Sequence, residues 1–410
     1  MIQRVVAHQQ RSMAAIKALT FVMFMMFAMT TDSVGLIIPE IIKAFRLSLT
    51  AAGTFQYATM AGIALAGFFL GHFADTFGRK PTIVVGLTLF AVASFLFAAG
   101  NSFVYFSILL AVTGIGIGVF KTGALALIGD LAKSTKEHTS LMNTVEGFFG
   151  VGSIIGPAIL ARLLAIGASW KGLYILAGTV CVLLILTALG AHYPHTIGAR
   201  QEEMDLKHTV AAMKNRYALA FSLGAFLYVA TEAAVYVWMP TLLAGYQGSG
   251  AALAVYSVSI FFILRAAGRF MGAWMLERFY WTKVLALFSG VILICFIGGV
   301  LGGASAAVYL LPASGLFMSV IYPSINSKGI SCFPKSEHGA VAGVILFFTC
   351  LSAVVGPLAM GAISDAMGHP KYGFLLATGF AGLLFAGLVL NWIFDPTRNL
   401  LNSLDETEYR

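Results

Sequence analysis

Charge is scarce in this chain. Asp, Glu, Lys and Arg make up 10% of its 410 residues, where an ordinary soluble domain carries about 25%. A water-soluble fold with so few charges could not cover its own surface, so a large soluble enzyme is excluded. Cysteine is sparse too: Cys181, Cys295, Cys332 and Cys350 are the whole set. None stands near another, and all lie in or beside apolar stretches. That argues for small packing residues and against disulfides or a metal site. No phosphate loop, metal-ligand spacing or nucleophile elbow occurs in the right context, so the sequence points to no enzyme chemistry and no cofactor. A removable leader is not expected either. The first apolar run, from about Ile16 to Ile42, is too long for a signal core and lacks a small-residue cleavage site.

What is abundant is apolar surface, at 59% of residues, and glycine, at 44 residues. Small residues let membrane helices approach closely. A spanning helix needs roughly 20 mostly apolar residues. Such runs fall at about 15–40, 51–73, 81–99, 102–130, 139–166 and 170–193. After a polar stretch from His195 to Arg216 they resume at about 217–241, 250–276, 280–301, 305–330, 338–366 and 371–394. The expectation is an all-α membrane protein of twelve transmembrane helices: a six-helix bundle over residues 1–194, a linker over 195–216, and a second bundle over 217–410 with a short polar tail. Basic residues set the orientation. With the N-terminus inside, only Lys43, Arg46, Arg162, Lys171 and Lys371 fall in outside loops. The linker and inner loops take the rest, Arg79, Lys80, Lys133, Lys136 and Arg216 among them. Both termini are therefore expected in the cytoplasm. The net charge of +8 reads as this bias rather than as a nucleic-acid footprint.

The two halves repeat at an offset near 200 residues. Pro39 pairs with Pro240, Gly156-Pro157 with Gly356-Pro357, and Thr113-Gly114 with Ser314-Gly315. LTLFAVASFLFAAG from Leu87 resembles LALFSGVILICFIGG from Leu285. Parallel halves of this kind place a substrate site between them, near the bilayer midplane.

Ionisable groups inside the membrane cost about 2.5–3.5 kcal/mol each on insertion scales and so mark function. Here they are Asp32 in span 1, Lys121 in span 4, Glu146 in span 5, Glu232 in span 7, and Arg265 and Arg269 in span 8. Spans 3, 6, 9 and 12 have none, which suits lipid-facing positions. Asp32 and Glu232 are 200 residues apart, in equivalent places. Lys121 and Glu146 lie at similar depth and are expected to pair, either as a fixed ion pair or as one that opens during a cycle. Arg269 is expected to pair locally. Gln56, Asn143, Tyr322 and Asn326 offer hydrogen bonds at membrane depth, and Tyr236 and Trp238 offer flat faces. A site of this make-up suits a small polar solute.

The stretch Gly71-His-Phe-Ala-Asp75-Thr-Phe-Gly78-Arg79-Lys80 resembles the loop motif of the major facilitator superfamily, G-x-x-x-D-R-x-G-R-K, with Thr76 in place of the usual Arg. The resemblance implies the major facilitator fold, with Gly71, Asp75, Gly78, Arg79 and Lys80 locking one conformation. Met142 to Pro157, and the run from Gly315, further resemble spans 5 and 10 of the fucose–galactose–glucose:proton symporter family. That family has acids linked to proton movement in spans 1 and 4. Asp32 matches the first. Lys121 stands where the second belongs, so Glu146 or Glu232 would take its role, while Lys121 could bind an anionic group such as a sugar acid. The Gly152-x-x-x-Gly156-Pro157 run also resembles the span 5 motif of drug:proton antiporters, but reads mainly as a bending and packing device.

The expected activity is proton-coupled symport of a small polar metabolite, a sugar or sugar derivative, by alternating access in a bacterial inner membrane. The candidate substrate residues are Asp32, Gln56, Lys121, Asn143, Glu146, Glu232, Trp238, Arg265, Tyr322 and Asn326, with Asp32, Glu146 and Glu232 moving the proton. The expected partners are the solute, protons and the lipid bilayer, around a monomer. Organic-anion transport or drug:proton efflux is the alternative reading.

Overall fold

Backbone groups inside hydrocarbon have no water to bond, so a chain this apolar must satisfy its amides within helices. The computed structural model describes residues 2–70, 77–131, 135–191, 193, 213–333 and 338–402. Among these residues there is no strand. In chain order the helices are α1 (Ile2–Thr31), α2 (Val34–Phe45), α3 (Leu49–Ala52), α4 (Thr54–Phe69), α5 (Arg79–Leu96), α6 (Phe103–Leu131), α7 (Thr135–Ala165) and α8 (Lys171–Gly190). Beyond the linker come α9 (Arg216–Ala233), a π-helical stretch (Ala234–Trp238), α10 (Met239–Leu242), α11 (Ala251–Val255), α12 (Ser257–Arg278) and α13 (Trp281–Leu301). The last four are α14 (Gly303–Met318), α15 (Ile321–Ser331), α16 (His338–Met367) and α17 (Pro370–Phe394). Eleven of the described helical stretches are long and apolar enough to cross a membrane. The second expected span is seen as α4, with 16 residues described.

The helices group into two units. The first is Met1–Arg46 with Thr54–Ala199, and the second is Leu47–Gly53 with Arg200–Arg410. The short connection that carries α3 thus belongs by its packing to the second unit, although both its ends run into helices of the first. Asp365 of α16 holds it there. Its carboxylate accepts the backbone N–H groups of Leu49 at 2.6 Å and Thr50 at 2.7 Å, and the Thr50 hydroxyl at 2.5 Å. The first N–H groups of a helix have no partner inside it, and a carboxylate satisfies them.

Glycines set the closest approaches within each unit. A Cβ on Gly152 or Gly156 of α7 would collide with the carbonyls of Met25 and Met29 of α1. A Cβ on Gly356 of α16 would sit 3.0 Å from Cβ of Ala230 in α9. The two contacts are related by the same offset of about 200 residues that the sequence repeats. Contacts of this kind are how helices associate where burial alone drives nothing. In the first unit the seam between α1, α5 and α6 is closed by Phe24, Phe27, Phe90 and Phe120. Their ring centroids are 4.7–5.1 Å apart, a spacing favourable for aromatic pairs.

Spans 1 and 10 are broken and span 7 carries a π-helical stretch, and the sequence explains each irregularity. In span 1 the hydroxyls of Thr30 and Thr31 bond back to the carbonyl of Phe27, at 3.0 and 3.2 Å, and Ser33 bonds to Met29 at 2.6 Å. Side chains that compete for helix carbonyls in this way loosen the ladder. The helix stops at Thr31 and restarts at Val34. In span 7 Pro240 sits in the first turn of α10. Its ring blocks the carbonyl four residues back, at Tyr236, inside the π-helical stretch. In span 10 Pro323 does the same to Ser319, where α14 gives way to α15.

Candidate functional site

The break in span 1 and the π-helical stretch in span 7 adjoin two acids, half-buried Asp32 and buried Glu232, each within its own unit. In the first unit Asp32 occupies the break itself. Its carboxylate accepts a short hydrogen bond from the Ser153 hydroxyl of α7 and a second from Thr31 at 3.4 Å. Ser153 lies between Gly152 and Gly156, so the glycine seam brings this hydroxyl up to Asp32. Both of these partners are hydroxyls, which can donate to a carboxylate or accept from a carboxylic acid. These two contacts can therefore persist in either protonation state.

Lys121 and Glu146 do not form the expected pair. The Lys121 ammonium lies 5.3 Å from the ring centroid of Phe149, a residue of α7, and Glu146 is exposed. Depth along successive helices suggested a contact that the side chains do not make. Glu146 and Phe149 are three positions apart, only about 60° around the helix, yet it is Phe149 that meets the ammonium of α6. Asn143 lies in α7, but its side chain is outside the described residues. Gln56 of α4 is fully buried, and neither its amide oxygen nor its nitrogen has a partner. A buried amide without bonds costs stability. Gln56→Leu is expected to raise stability by about 1–2 kcal/mol, read as a higher melting temperature of the purified protein. An unchanged or lower melting temperature would mean that the amide is satisfied in the folded protein.

The second unit gathers more of the predicted residues. Glu232 lies two residues before the π-helical stretch and is 8% exposed. Arg265 of α12 pairs with it, Nη2 to Oε1, at 2.8 Å. The Tyr228 hydroxyl sits 3.1 Å from the same Oε1 and 3.0 Å from the carbonyl of Met318, with one proton to donate between them. Met318 is the last residue before the break in span 10, so the hydroxyl ties the acid of span 7 to the gap in span 10. The Tyr322 ring stacks on Tyr228 at 6.0 Å between centroids. Asn326 lies one turn further along α15 and is partly exposed. Trp238 is committed elsewhere. It is 3% exposed, and its indole N–H donates to the carbonyl of Pro357 at 3.1 Å, so it is part of the core of this unit.

Of the loop motif, Gly71 and Asp75 lie outside the described residues. Gly78 has φ +89°, a left-handed conformation that glycine adopts without strain. Arg79 is 9% exposed and donates from Nε to Asp130 of α6 at 2.8 Å. Lys80 reaches the carbonyls of Leu189 and Ala191 at the end of α8, at 2.7 and 2.9 Å. A cation there complements the negative end of the helix. The motif thus ties α5 to two neighbours.

Ser153, Tyr228, Asp130 and Asp365 were not among the predicted residues. Tyr228 had a signal in its i, i+4 spacing to Glu232. Asp365 had one in Gly361-x-x-x-Asp365-x-x-Gly368, which repeats the pattern of Gly71, Asp75 and Gly78. Ser153 had none that separates it from hydroxyls that only bond back to their own helix.

The profile of the Major Facilitator Superfamily matches residues 20–357. The chain is 24% identical over 390 residues to a glucose/galactose transporter of Brucella abortus, covering 92% of this chain and 93% of that one. It is 24% identical over 405 residues to the L-fucose-proton symporter of Escherichia coli, covering 88% and 90%. A crystal structure of the E. coli fucose:proton symporter shares the fold with a TM-score of 0.63, at 20% identity, over 92% of this chain and 99% of that one.

Proposed function

Since the chain belongs to the Major Facilitator Superfamily, a membrane transporter with the major facilitator fold, we propose that it is a proton-coupled symporter of a sugar or sugar derivative. The observation that carries this reading is an acid beside a helix irregularity in each unit, half-buried Asp32 at the break in span 1 and buried Glu232 beside the π-helical stretch of span 7, with the two acids in different company. Glu232 is ion-paired with Arg265. A proton delivered to it would remove the negative charge that faces the Arg265 guanidinium at 2.8 Å, which is costly in a partly buried site. Asp32 accepts from the hydroxyls of Ser153 and Thr31, which can exchange donor and acceptor roles as it gains or loses a proton. Asp32 is therefore the coupling residue of this proposal. Glu232, Arg265 and Tyr322 orient the solute, and Glu146 has no part in coupling.

Two relatives named as sugar transporters, one of them a proton symporter, support the substrate class. Lys121 refines it. Among the described residues it has no carboxylate partner, only the face of Phe149, so a substrate bearing an acid group, such as a sugar acid, suits it. Proteoliposomes test the coupling. With Asp32→Asn, accumulation driven by an inward proton gradient is expected to fall to background while solute counterflow persists. Full accumulation in that variant would refute the coupling role. Binding measured with neutral sugars, sugar acids and lipophilic cations separates the substrate classes.

A further inference from the structure

The second unit contains a hollow that transport does not use. Residues of α9, α13, α15 and α17 enclose a cavity of about 250 Å³ at the end of the unit where α9 and α13 begin and α17 finishes. Its walls are apolar, with Phe221, Leu227, Ile325 and Leu384 among them. Glycine keeps it open: nothing lies within 4 Å of a Cβ built on Gly387.

Tyr217, Trp281, Asn391 and Thr397 interrupt the apolar lining with polar groups. Thr397, just beyond α17, is 2% exposed, and Trp281, the first residue of α13, is 7% exposed. The Thr397 hydroxyl has no hydrogen-bond partner, and the Trp281 indole N–H has only the neighbouring Tyr280 hydroxyl beside it, outside good hydrogen-bond geometry. Buried donors without partners are rare and point to a missing acceptor. Cations stand beside the lining. The Arg216 guanidinium lies 4.9 Å from the ring centroid of Tyr217, which faces the cavity, and donates to its hydroxyl at 3.0 Å. Arg398 follows Thr397 in the chain and lies within electrostatic reach of Tyr280, as does the carboxylate of Asp395.

We propose that this cavity holds one acyl chain of an anionic phospholipid from the leaflet on the linker side. The ester oxygens of the lipid accept from Trp281 and Thr397, and its phosphate lies against Arg216 and Arg398. A transported sugar would leave its own hydroxyls unbonded against these walls. A lipid matches both parts, an apolar body and an anionic, acceptor-rich head. The chain leaves one hydrocarbon environment for another, so selectivity comes from the polar end. Basic groups at a membrane surface favour anionic lipids by about fivefold per charge.

Native mass spectrometry of the full-length protein, titrated with phosphatidylglycerol or phosphatidylcholine, tests this site. The parent protein is expected to retain one phosphatidylglycerol in preference to phosphatidylcholine. Gly387→Leu, which fills the hollow, is expected to lose it, and Arg398→Gln to lose the preference about fivefold. Equal retention of the two lipids by the parent, or unchanged phosphatidylglycerol retention in Gly387→Leu, overturns the proposal. Tryptophan fluorescence gives a readout that does not depend on that variant folding. Phosphatidylglycerol brominated on its acyl chains is expected to quench the parent more than Trp281→Phe. Equal quenching of the two overturns the proposal as well.

Discussion

Purified Glu232→Ala protein is expected to lose about 3–5 kcal/mol of stability and all measurable transport. The loss follows from what remains behind. Arg265 keeps its charge, with 23% of its side chain exposed, and the partner at 2.8 Å is gone. Removing one member of a buried pair is far more damaging than replacing both. The Tyr228 hydroxyl also loses its contact with Oε1 and keeps only the Met318 carbonyl. The control is therefore the double variant Glu232→Leu with Arg265→Met. It is expected to recover most of the stability and none of the transport. Thermal melting in detergent and counterflow in proteoliposomes read the two effects separately. A single variant as stable as the parent would show that the pair is not buried in the folded protein, and transport by the double variant would remove both residues from the solute site.

Gly156→Leu is expected to abolish accumulation of folded protein altogether. The collision it creates is with backbone, the carbonyl and Cα of Met29, and no rotamer relieves it. Overpacking in a filled core costs about 1–3 kcal/mol when side chains can shift, and here α7 itself would have to move off α1. That displacement would also withdraw Ser153 from Asp32. Gly147→Leu on the same helix is the matched control, since nothing lies within 4 Å of a Cβ there. Its yield and size-exclusion profile are expected to match the parent. A normal monodisperse yield for Gly156→Leu would refute the close packing of α7 on α1.

The helices were legible in the sequence because the rule behind them is blunt: about 20 apolar residues cross a bilayer, and few charges interrupt them. The internal repeat was legible because proline and glycine mark positions where backbone geometry leaves little choice. Gly156 and Gly356 occupy equivalent close contacts for that reason. The acids at positions 32 and 232 stood out because a carboxylate in an apolar run is costly. What stayed hidden was partner choice. Lys121 and Glu146 matched in depth, but the ammonium meets the ring of Phe149 and Glu146 is exposed; depth is all that a hydropathy reading conveys. Asp130 lay at the edge of a span, where boundaries blur, so its pairing with Arg79 went unseen. Ser153 is one hydroxyl among many, and only the packing of α7 on α1 singles it out.

The grip of Asp365 on Leu49 and Thr50 has a consequence for how the protein is made. The acceptor lies 315–316 residues after the groups it binds. At about 5–20 residues per second of synthesis, those amides emerge from the ribosome ~15–60 s before their carboxylate exists. The early helices must enter the membrane with that connection unsecured. Its final placement is thus among the last events of biogenesis, and a nascent chain stalled before α16 would present residues 47–53 without their acceptor.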